Sequence, residues 1–285
     1  MKNSNFKGKN EDESIDISKS EINAEHILKR IHVHNEDAGG IFSLTTGGMG
    51  TGKTAILLSF VDYTIRNFPN EKIFFSNCFF SPLQFVKIGE GRYHIMVKEN
   101  SGITFHDRNL KLKEVFPPIT YFKNNEDLYE KAIPGKLNAV FLPDRVIDTI
   151  SFIHFLRSVG EWTHLYIDEF SEIAPSFTSG KQWKKIRDLS NDLKEVRKCM
   201  INIHTNSQSV SDIDFRCRTK IMCKIFLPGS QADSHSRIEQ TAIDNLNEDP
   251  VGGSEGYIEM SGKFGRTVFK DIYKPNPKIL WEARV

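Results

Sequence analysis

The sequence predicts a three-layer α/β fold with a mainly parallel central sheet. Short apolar segments of strand length alternate with helix-length segments along most of the chain. The first strand runs directly into a glycine loop and a helix, and a second strand follows, which is the order of a β–loop–α–β unit. Later apolar strands end in acidic or polar residues, and ligands bind at such strand ends in open α/β sheets.

The individual elements follow from the apolar pattern in chain order. Strands are predicted at short β-forming runs, namely 41–46, 71–76, 138–142, 162–168, 201–204 and 221–227. Helices are predicted over 53–67, 124–131, 143–157 and a long amphipathic segment that carries Trp183, Ile186, Leu189, Leu193, Val196 and Met200. A turn at 261–263 predicts a hairpin of strands 256–260 and 267–272.

The chain is predicted to form one large domain after a short tail. Residues 1–21 are polar and charge-mixed, which is typical of a flexible tail, and residues 22–285 form the domain. Within it, residues 84–134 are interpreted as an insertion on the sheet. The runs 93–97 and 103–106 flank a glycine turn, so the insertion is predicted to contain a β-hairpin.

Composition argues against a chain that is basic overall, a disulfide-stabilised protein and a membrane-spanning protein. Hydrophobic residues make up 39% and charged residues 26%, and the formal net charge is +1, so any surface for nucleic acid must be local. Four cysteines without metal-ligand spacing are typical of a reducing compartment. The sequence shows neither an apolar signal core nor a membrane span, and the expected location is the cytoplasm.

The glycine loop has the pattern G-x-x-x-x-G-K-[ST], which binds the phosphates of a nucleotide. Its residues are Gly47, Gly48, Met49, Gly50, Thr51, Gly52, Lys53 and Thr54, called the P-loop below. Glycines let backbone N–H groups wrap a phosphate tail, and the following helix directs its positive end toward it. Lys53 is expected to bridge the β- and γ-phosphates of ATP, and the hydroxyl of Thr54 is expected to bind Mg²⁺.

A buried strand ends in two adjacent carboxylates, Asp168 and Glu169, called the acid pair below. Asp168 is predicted to hold Mg²⁺, usually through water, and Glu169 to polarise the attacking water as a general base. Two neighbouring acids after a complete P-loop favour a hydrolytic ATPase over a GTPase-like switch.

Polar residues after strand 201–204 are further candidates for the site. Gln208 is the first choice, and Asn206 the second, for sensing the γ-phosphate or orienting the attacking water; a solvated loop is the alternative. Arg216 and Arg218 are candidates to reach a neighbouring subunit's γ-phosphate, and the alternative is a salt-bridged surface segment. Arg197 is a weaker candidate.

The long helix carries an excess of basic residues opposite its apolar stripe. These residues are Lys181, Lys184, Lys185, Arg187, Lys194, Arg197 and Lys198. A solvated face is the ordinary interpretation of this pattern, and a local surface that follows nucleic-acid phosphates is the alternative.

The order GGMGTGKT, LYIDEF, a long helix ending EVRKCM, and INIHTNSQSVSDIDFRCR resembles the FtsK/HerA superfamily of ring-forming, DNA-pumping ATPases. That superfamily includes packaging ATPases of many viruses and conjugative coupling proteins. Family members have a basic residue, a Gln and an Arg after the acid pair, matching Arg197, Gln208, and Arg216 or Arg218. They often have Thr-Gln at the strand's end, where this chain has Asn206-Ser207-Gln208.

The resemblance implies a RecA-like fold, in which strand 201–204 lies between the strands that carry the P-loop and the acid pair. It also implies a homo-oligomer, a hexameric ring with double-stranded DNA in its channel. The leading hypothesis is therefore Mg²⁺-dependent ATP hydrolysis that drives DNA translocation or genome packaging. An ATP-driven assembly protein resembling zonula occludens toxin is the rival. A kinase or switch fits less well because kinases usually lack the acid pair.

Overall fold

The computed structural model describes residues 39–76, 93–107, 119–246, 253–260, 263–270 and 279–284. The predicted tail, residues 1–21, lies outside these ranges. So do residues 84–92 and 108–118 of the predicted insertion.

The described strands and helices occupy these residues. The strands are β1 (Phe42–Thr46), β2 (Lys72–Ser76), β3 (Tyr93–Lys98), β4 (Gly102–Asp107), β5 (Ile119–Phe122), β6 (Leu137–Phe141), β7 (Thr163–Ile167), β8 (Ile201–Ser207), β9 (Cys223–Phe226), β10 (Gly253–Met260), β11 (Lys263–Lys270) and β12 (Ile279–Arg284). The helices are α1 (Lys53–Asn67), α2 (Asn125–Lys131), α3 (Arg145–Leu156), α4 (Phe170–Ile173), α5 (Gly180–Glu195), α6 (Phe215–Arg218) and α7 (Gln240–Asp244). A 3₁₀ turn, Val210–Asp212, connects β8 to α6.

A sheet of ten strands forms the centre of the fold, in the order β11-β10-β9-β1-β8-β7-β2-β6-β3-β5. The strands from β9 to β5 in this order pair in parallel. Strand β10 pairs antiparallel with β9 and with β11. The predicted α/β class and mainly parallel sheet are confirmed. Strand β8 lies between β1 and β7, as the resemblance implied.

Both faces of the sheet are covered, which makes the three layers. Neighbouring residues of one strand point to opposite faces, and in β2 Phe74 belongs to one apolar core whereas Phe75 belongs to the other. The first core includes residues of α3, α4 and α5, and the second includes the buried face of α1. Fully burying one such side chain contributes about 1.5–3 kcal/mol, so the two cores hold the helices on the sheet.

The predicted hairpin of strands 93–97 and 103–106 is wrong. Strand β3 pairs in parallel with β6 and β5 inside the main sheet. Strand β4 pairs antiparallel with β12 in a separate two-stranded sheet. Residues 94–97 are buried without alternation, and a strand that is covered on both faces belongs in the interior of a layered sheet.

The predicted C-terminal hairpin is present and longer than the sequence indicated. Its strands β10 and β11 pair from Gly253–Lys270 to Met260–Lys263. The hairpin extends the sheet beyond β9, so β11 and the four-residue strand β5 are the outer strands of the ten. None of the described helices is both long and apolar enough to cross a membrane.

Candidate active site

The P-loop connects the carboxyl end of β1 to the amino end of α1. Gly50 and Gly52 have φ angles of 81° and 96°, in the left-handed region that favours glycine. A Cβ atom at Gly47 would lie 2.8 Å from Cβ of Leu227, and the Gly48 N–H donates to the Pro228 carbonyl at 2.9 Å. The loop is therefore fixed against the residues that follow β9, with no room for a side chain at Gly47.

Lys53, the first residue of α1, contacts the glycines at the start of the P-loop. Its Nζ donates to the carbonyl oxygens of Gly47 at 2.9 Å and Gly48 at 2.8 Å. Burial lowers the pKa of Lys53, and the negative charges of Glu169 and Asp168 oppose that shift. A partly desolvated ammonium next to backbone amides is suited to bind phosphate oxygens.

Asp168 is held by two side chains from different parts of the fold. Oγ1 of Thr54 donates to its Oδ1 at 3.3 Å, and Nδ2 of Asn206 donates to the same oxygen at 2.5 Å. Burial raises the pKa of Asp168, and the hydrogen bond from Asn206 opposes that shift. A partly buried carboxylate without a full counter-charge favours binding of a cation.

Glu169 has an unusual backbone conformation for a residue with a side chain. Its φ and ψ angles are 53° and 67°, and it precedes the short helix α4. Its N–H donates to Oδ1 of Asn206 at 2.7 Å, and its Oε1 accepts a hydrogen bond from Oγ of Ser171 at 2.6 Å. Strained residues of this kind cluster at functional sites because the surrounding structure must hold them.

Arg145, at the start of α3, is a residue of this site that the sequence did not indicate. Its Nη2 donates to the carbonyl oxygen of Asp168 at 2.8 Å, and its guanidinium forms an ion pair with Glu172. In the sequence it is one of 38 lysines and arginines, and no motif marks it. The only local signal is its place directly after a strand of a parallel sheet.

The residues of the site fit ATP and Mg²⁺ by their chemistry. The hydroxyl of Thr54 and the carboxylate of Asp168 offer hard oxygen ligands within 3.3 Å of each other, and Mg²⁺ is usually held by one or two carboxylates together with phosphates and water. The glycine-lined loop at the amino end of α1 offers backbone N–H groups and the positive helix end to an anion.

The other candidates lie at different distances from this cluster. Asn206 contacts both acids and is buried, whereas Gln208 follows the end of β8 and is exposed. Arg216 donates to both carboxylate oxygens of Asp214, at 2.9 and 2.8 Å, and its guanidinium lies over the ring of Trp183. The structure thus places Asn206, the second choice for the sensor, between the two acids.

Arg218 and Arg197 belong to segments that meet the sheet at the amino end of β1, whereas the acid pair follows the carboxyl end of β7. Arg218 precedes Met222, whose N–H donates to the Phe42 carbonyl at the amino end of β1, whereas the P-loop leaves the carboxyl end. Arg197 is exposed, and its carbonyl accepts the Gly40 N–H at the same amino end.

Sequence comparison and structure comparison give different results for this chain. No protein-family model and no curated protein sequence matches it. Among solved structures, the genome-packaging NTPase B204 of Sulfolobus turreted icosahedral virus 2, in complex with AMPPCP, is similar with a TM-score of 0.51 at 10% identity. The matched region covers 81% of this chain and 97% of that structure.

Two further structures are similar at lower TM-scores. The ATPase domain of G40P has a TM-score of 0.46 at 14% identity, and the match covers 87% of each chain. The N-terminal domain of zonular occludens toxin from Neisseria meningitidis has a TM-score of 0.37 at 14% identity, with 82% of this chain and 95% of that domain covered. The first comparison and the sheet order agree with the prediction, and the chain has the fold of a P-loop nucleoside triphosphatase.

Proposed function

We propose that this chain is a Mg²⁺-dependent ATPase. The observation that carries the proposal is the meeting of Thr54 and Asp168, whose oxygens lie 3.3 Å apart. Thr54 belongs to the P-loop and Asp168 to the acid pair, and many proteins contain one such motif. Together the two residues form the paired hydroxyl and carboxylate of a Mg²⁺–nucleotide site.

Each residue of the site then has a distinct part in hydrolysis. The P-loop amides and Lys53 bind the phosphates, while Thr54 and Asp168 hold the metal. Bound Mg²⁺ supplies charge neutralisation on the phosphate oxygens. Glu169 accepts a proton from the attacking water, and the amide group of Asn206 holds the Asp168 carboxylate and the backbone N–H of Glu169.

We further propose that the ATPase is a ring-forming motor that moves double-stranded DNA. The fold is similar to that of a genome-packaging NTPase. Arg216 and Arg218 are candidates to act on the γ-phosphate of a neighbouring subunit in the ring. Arg218 suits this role because the segment that contains it leads to the amino end of β9, away from its own P-loop. A hexamer is the proposed assembly.

A surface of exposed aromatic rings and arginines supports nucleic acid as the partner. Trp183 and Phe215 are 46% and 57% exposed. The guanidinium group of Arg187, which is also exposed, lies 5.5 Å from the ring of Trp183. Basic side chains beside aromatic faces are typical of surfaces that bind nucleic acids through phosphates and bases.

The neighbouring charges on α5 strengthen this interpretation. Lys181 and Lys184 are exposed on the same end of the helix. Two acids of this helix are paired: Asp192 is buried against Arg157, and the exposed Asp188 lies 3.3 Å from Arg187. The local excess of positive charge fits a polyanion although the whole chain is almost neutral.

The test measures ATP hydrolysis with and without double-stranded DNA at low salt, together with the oligomer mass with and without nucleotide. We expect DNA to raise the rate and nucleotide to favour a closed oligomer. Arg187→Gln should reduce the DNA stimulation, and Arg66→Gln, an exposed arginine on α1, is the matched control. A rate that DNA does not change would favour the ATP-driven assembly protein.

The thiols agree with the cytoplasm as the proposed compartment. The described cysteines Cys199, Cys217 and Cys223 are free. Burial raises the pKa of Cys217 and of Cys223 to about 12. Such thiols remain protonated at neutral pH and behave as small apolar side chains.

A further inference from the structure

The peptide group between Asp168 and Glu169 lies just beyond the regular sheet. The last residue of β7 that pairs with its neighbours is Ile167, opposite Ser76 on β2 and Thr205 on β8. The carbonyl of Asp168 and the N–H of Glu169 therefore need partners other than the strand ladder, because buried backbone groups are rarely left without hydrogen bonds.

Two side chains supply those partners from opposite sides. Nη2 of Arg145 donates to the Asp168 carbonyl at 2.8 Å, and Oδ1 of Asn206 accepts the Glu169 N–H at 2.7 Å. Arg145 opens α3, which follows β6, and Asn206 belongs to β8. In the sheet these two strands lie on either side of β7, with β2 between β7 and β6.

The held peptide decides where the Glu169 side chain points. Glu169 is in the left-handed region, at φ 53° and ψ 67°, where residues with a Cβ are uncommon. Rotation of the peptide before it would change φ of Glu169 and with it the direction of the side chain, whose Oε1 accepts a hydrogen bond from Oγ of Ser171 at 2.6 Å. Such a conformation persists only where its surroundings fix it.

We propose that Arg145 is a positioning residue for the general base: with Asn206 it clamps the Asp168–Glu169 peptide and thereby aims Glu169 at the nucleotide. The inference rests on the proposed ATPase function. Arg145 acts through the peptide, whose carbonyl oxygen accepts its hydrogen bond. The ion pair with Glu172, on the short helix α4, holds the guanidinium in place for this hydrogen bond.

The experiment compares Arg145→Met, Arg145→Lys and the matched control Arg66→Met in the full chain. For each variant, the turnover number, the affinity for a fluorescent ATP analogue and the melting temperature are measured. Removing a charge-assisted hydrogen bond to the peptide should lower kcat between about 10-fold and 100-fold. The nucleotide affinity should change less than about threefold, because the P-loop contacts remain.

The variant Arg145→Lys distinguishes a positioning role of Arg145 from a general role in the stability of the fold. A lysine ammonium can still donate one hydrogen bond to the Asp168 carbonyl, so Arg145→Lys should recover several-fold of the lost kcat. Arg66→Met should keep the wild-type rate, since that arginine is 66% exposed on α1. The double variant Arg145→Met with Asn206→Ala should lose less than the product of the single losses, because both act on one peptide.

Several outcomes would overturn the clamp. The first is a kcat for Arg145→Met within about threefold of the wild-type value. The second is a loss of nucleotide affinity in parallel with the loss of kcat. The third is a loss of kcat in the double variant that equals the product of the two single losses. If Arg145→Met does not fold, an Arg145→Lys variant that folds yet shows the full loss of kcat also rejects it. A wild-type protein without ATPase activity would reject the proposed function instead.

Discussion

Oγ1 of Thr54 lies 3.3 Å from Oδ1 of Asp168, although 114 positions separate the two residues in the chain. The contact arises because β1 and β7 are separated in the sheet only by β8, and all three run parallel. The carboxyl ends of the three strands therefore lie at the same edge of the sheet.

Lys53→Ala should abolish measurable ATP binding at concentrations that saturate the wild type. The ammonium is the only side-chain cation of the P-loop, and its loss removes charge-assisted hydrogen bonds to phosphate. Binding of a fluorescent ATP analogue measures the effect. Lys123→Ala, an exposed lysine outside the site, is the control, and an unchanged affinity in Lys53→Ala would contradict the phosphate role.

Glu169→Gln should bind ATP as the wild type does and hydrolyse it about 100-fold to 10,000-fold more slowly, the range for loss of a general base. Binding should persist because the amide keeps the size of the side chain. Single-turnover hydrolysis and nucleotide binding should be measured on the same sample. Glu126→Gln, exposed on α2, is the control; normal turnover by Glu169→Gln would exclude it as the base.

Asn206→Ala should reduce kcat more than Gln208→Ala does. Asn206 is 1% exposed and bonds to both acids, whereas Gln208 is exposed. We expect a loss of at least about tenfold for Asn206→Ala, since a hydrogen bond to a charged group contributes about 1.5–3 kcal/mol. Steady-state ATPase assays of the two variants decide between them. The opposite ranking would restore Gln208 as the sensor.

Stability should fall as the pH decreases below about 6.5 because of His204. This residue is fully buried on β8, where its Nδ1 lies 2.7 Å from Oγ of Ser43. Burial holds its pKa well below the usual value. The unfolded state therefore binds more protons than the folded state, and the free energy of unfolding decreases by up to about 1.4 kcal/mol per pH unit.

His204→Gln should flatten this pH dependence. Urea unfolding at several pH values between 7 and 5 measures the slope for wild type and variant. His235→Gln, an exposed histidine, should leave the slope unchanged. An equally steep slope in His204→Gln would show that other groups carry the acid sensitivity.

The sequence was most informative where one local pattern determines the structure. Helix α1 occupies the predicted residues Lys53–Asn67 because the glycine loop fixes its start and Pro69 lies just beyond its end. Strands β7 and β8 were found because continuous apolar runs of that length are typical of buried parallel strands. The P-loop and the acid pair were recognised from spacing, and the structure brings them together.

Pairing between strands that are distant in the sequence was harder to predict. The glycine turn after β3 suggested a hairpin, yet β3 pairs with β6 and β5, since burial of both its faces outweighs proximity in sequence. Arg145 was missed because its contact is to a backbone carbonyl 23 residues away, which leaves no trace in residue spacing. Strand β8 extends to Ser207, beyond the predicted strand end, so Asn206 lies inside the strand, and the choice between Gln208 and Asn206 as the sensor stays a prediction.

The outer strands of the sheet also bear on how copies of this chain associate. Strand β5 has only four residues, and β11 carries Lys263 and Arg266 along its length. A short edge strand offers a second sheet edge few hydrogen bonds, and positive charges on an edge strand repel a second copy of that strand. Both features resist open-ended β-aggregation. Self-association should therefore not proceed by adding strands at these two edges of the ten-stranded sheet.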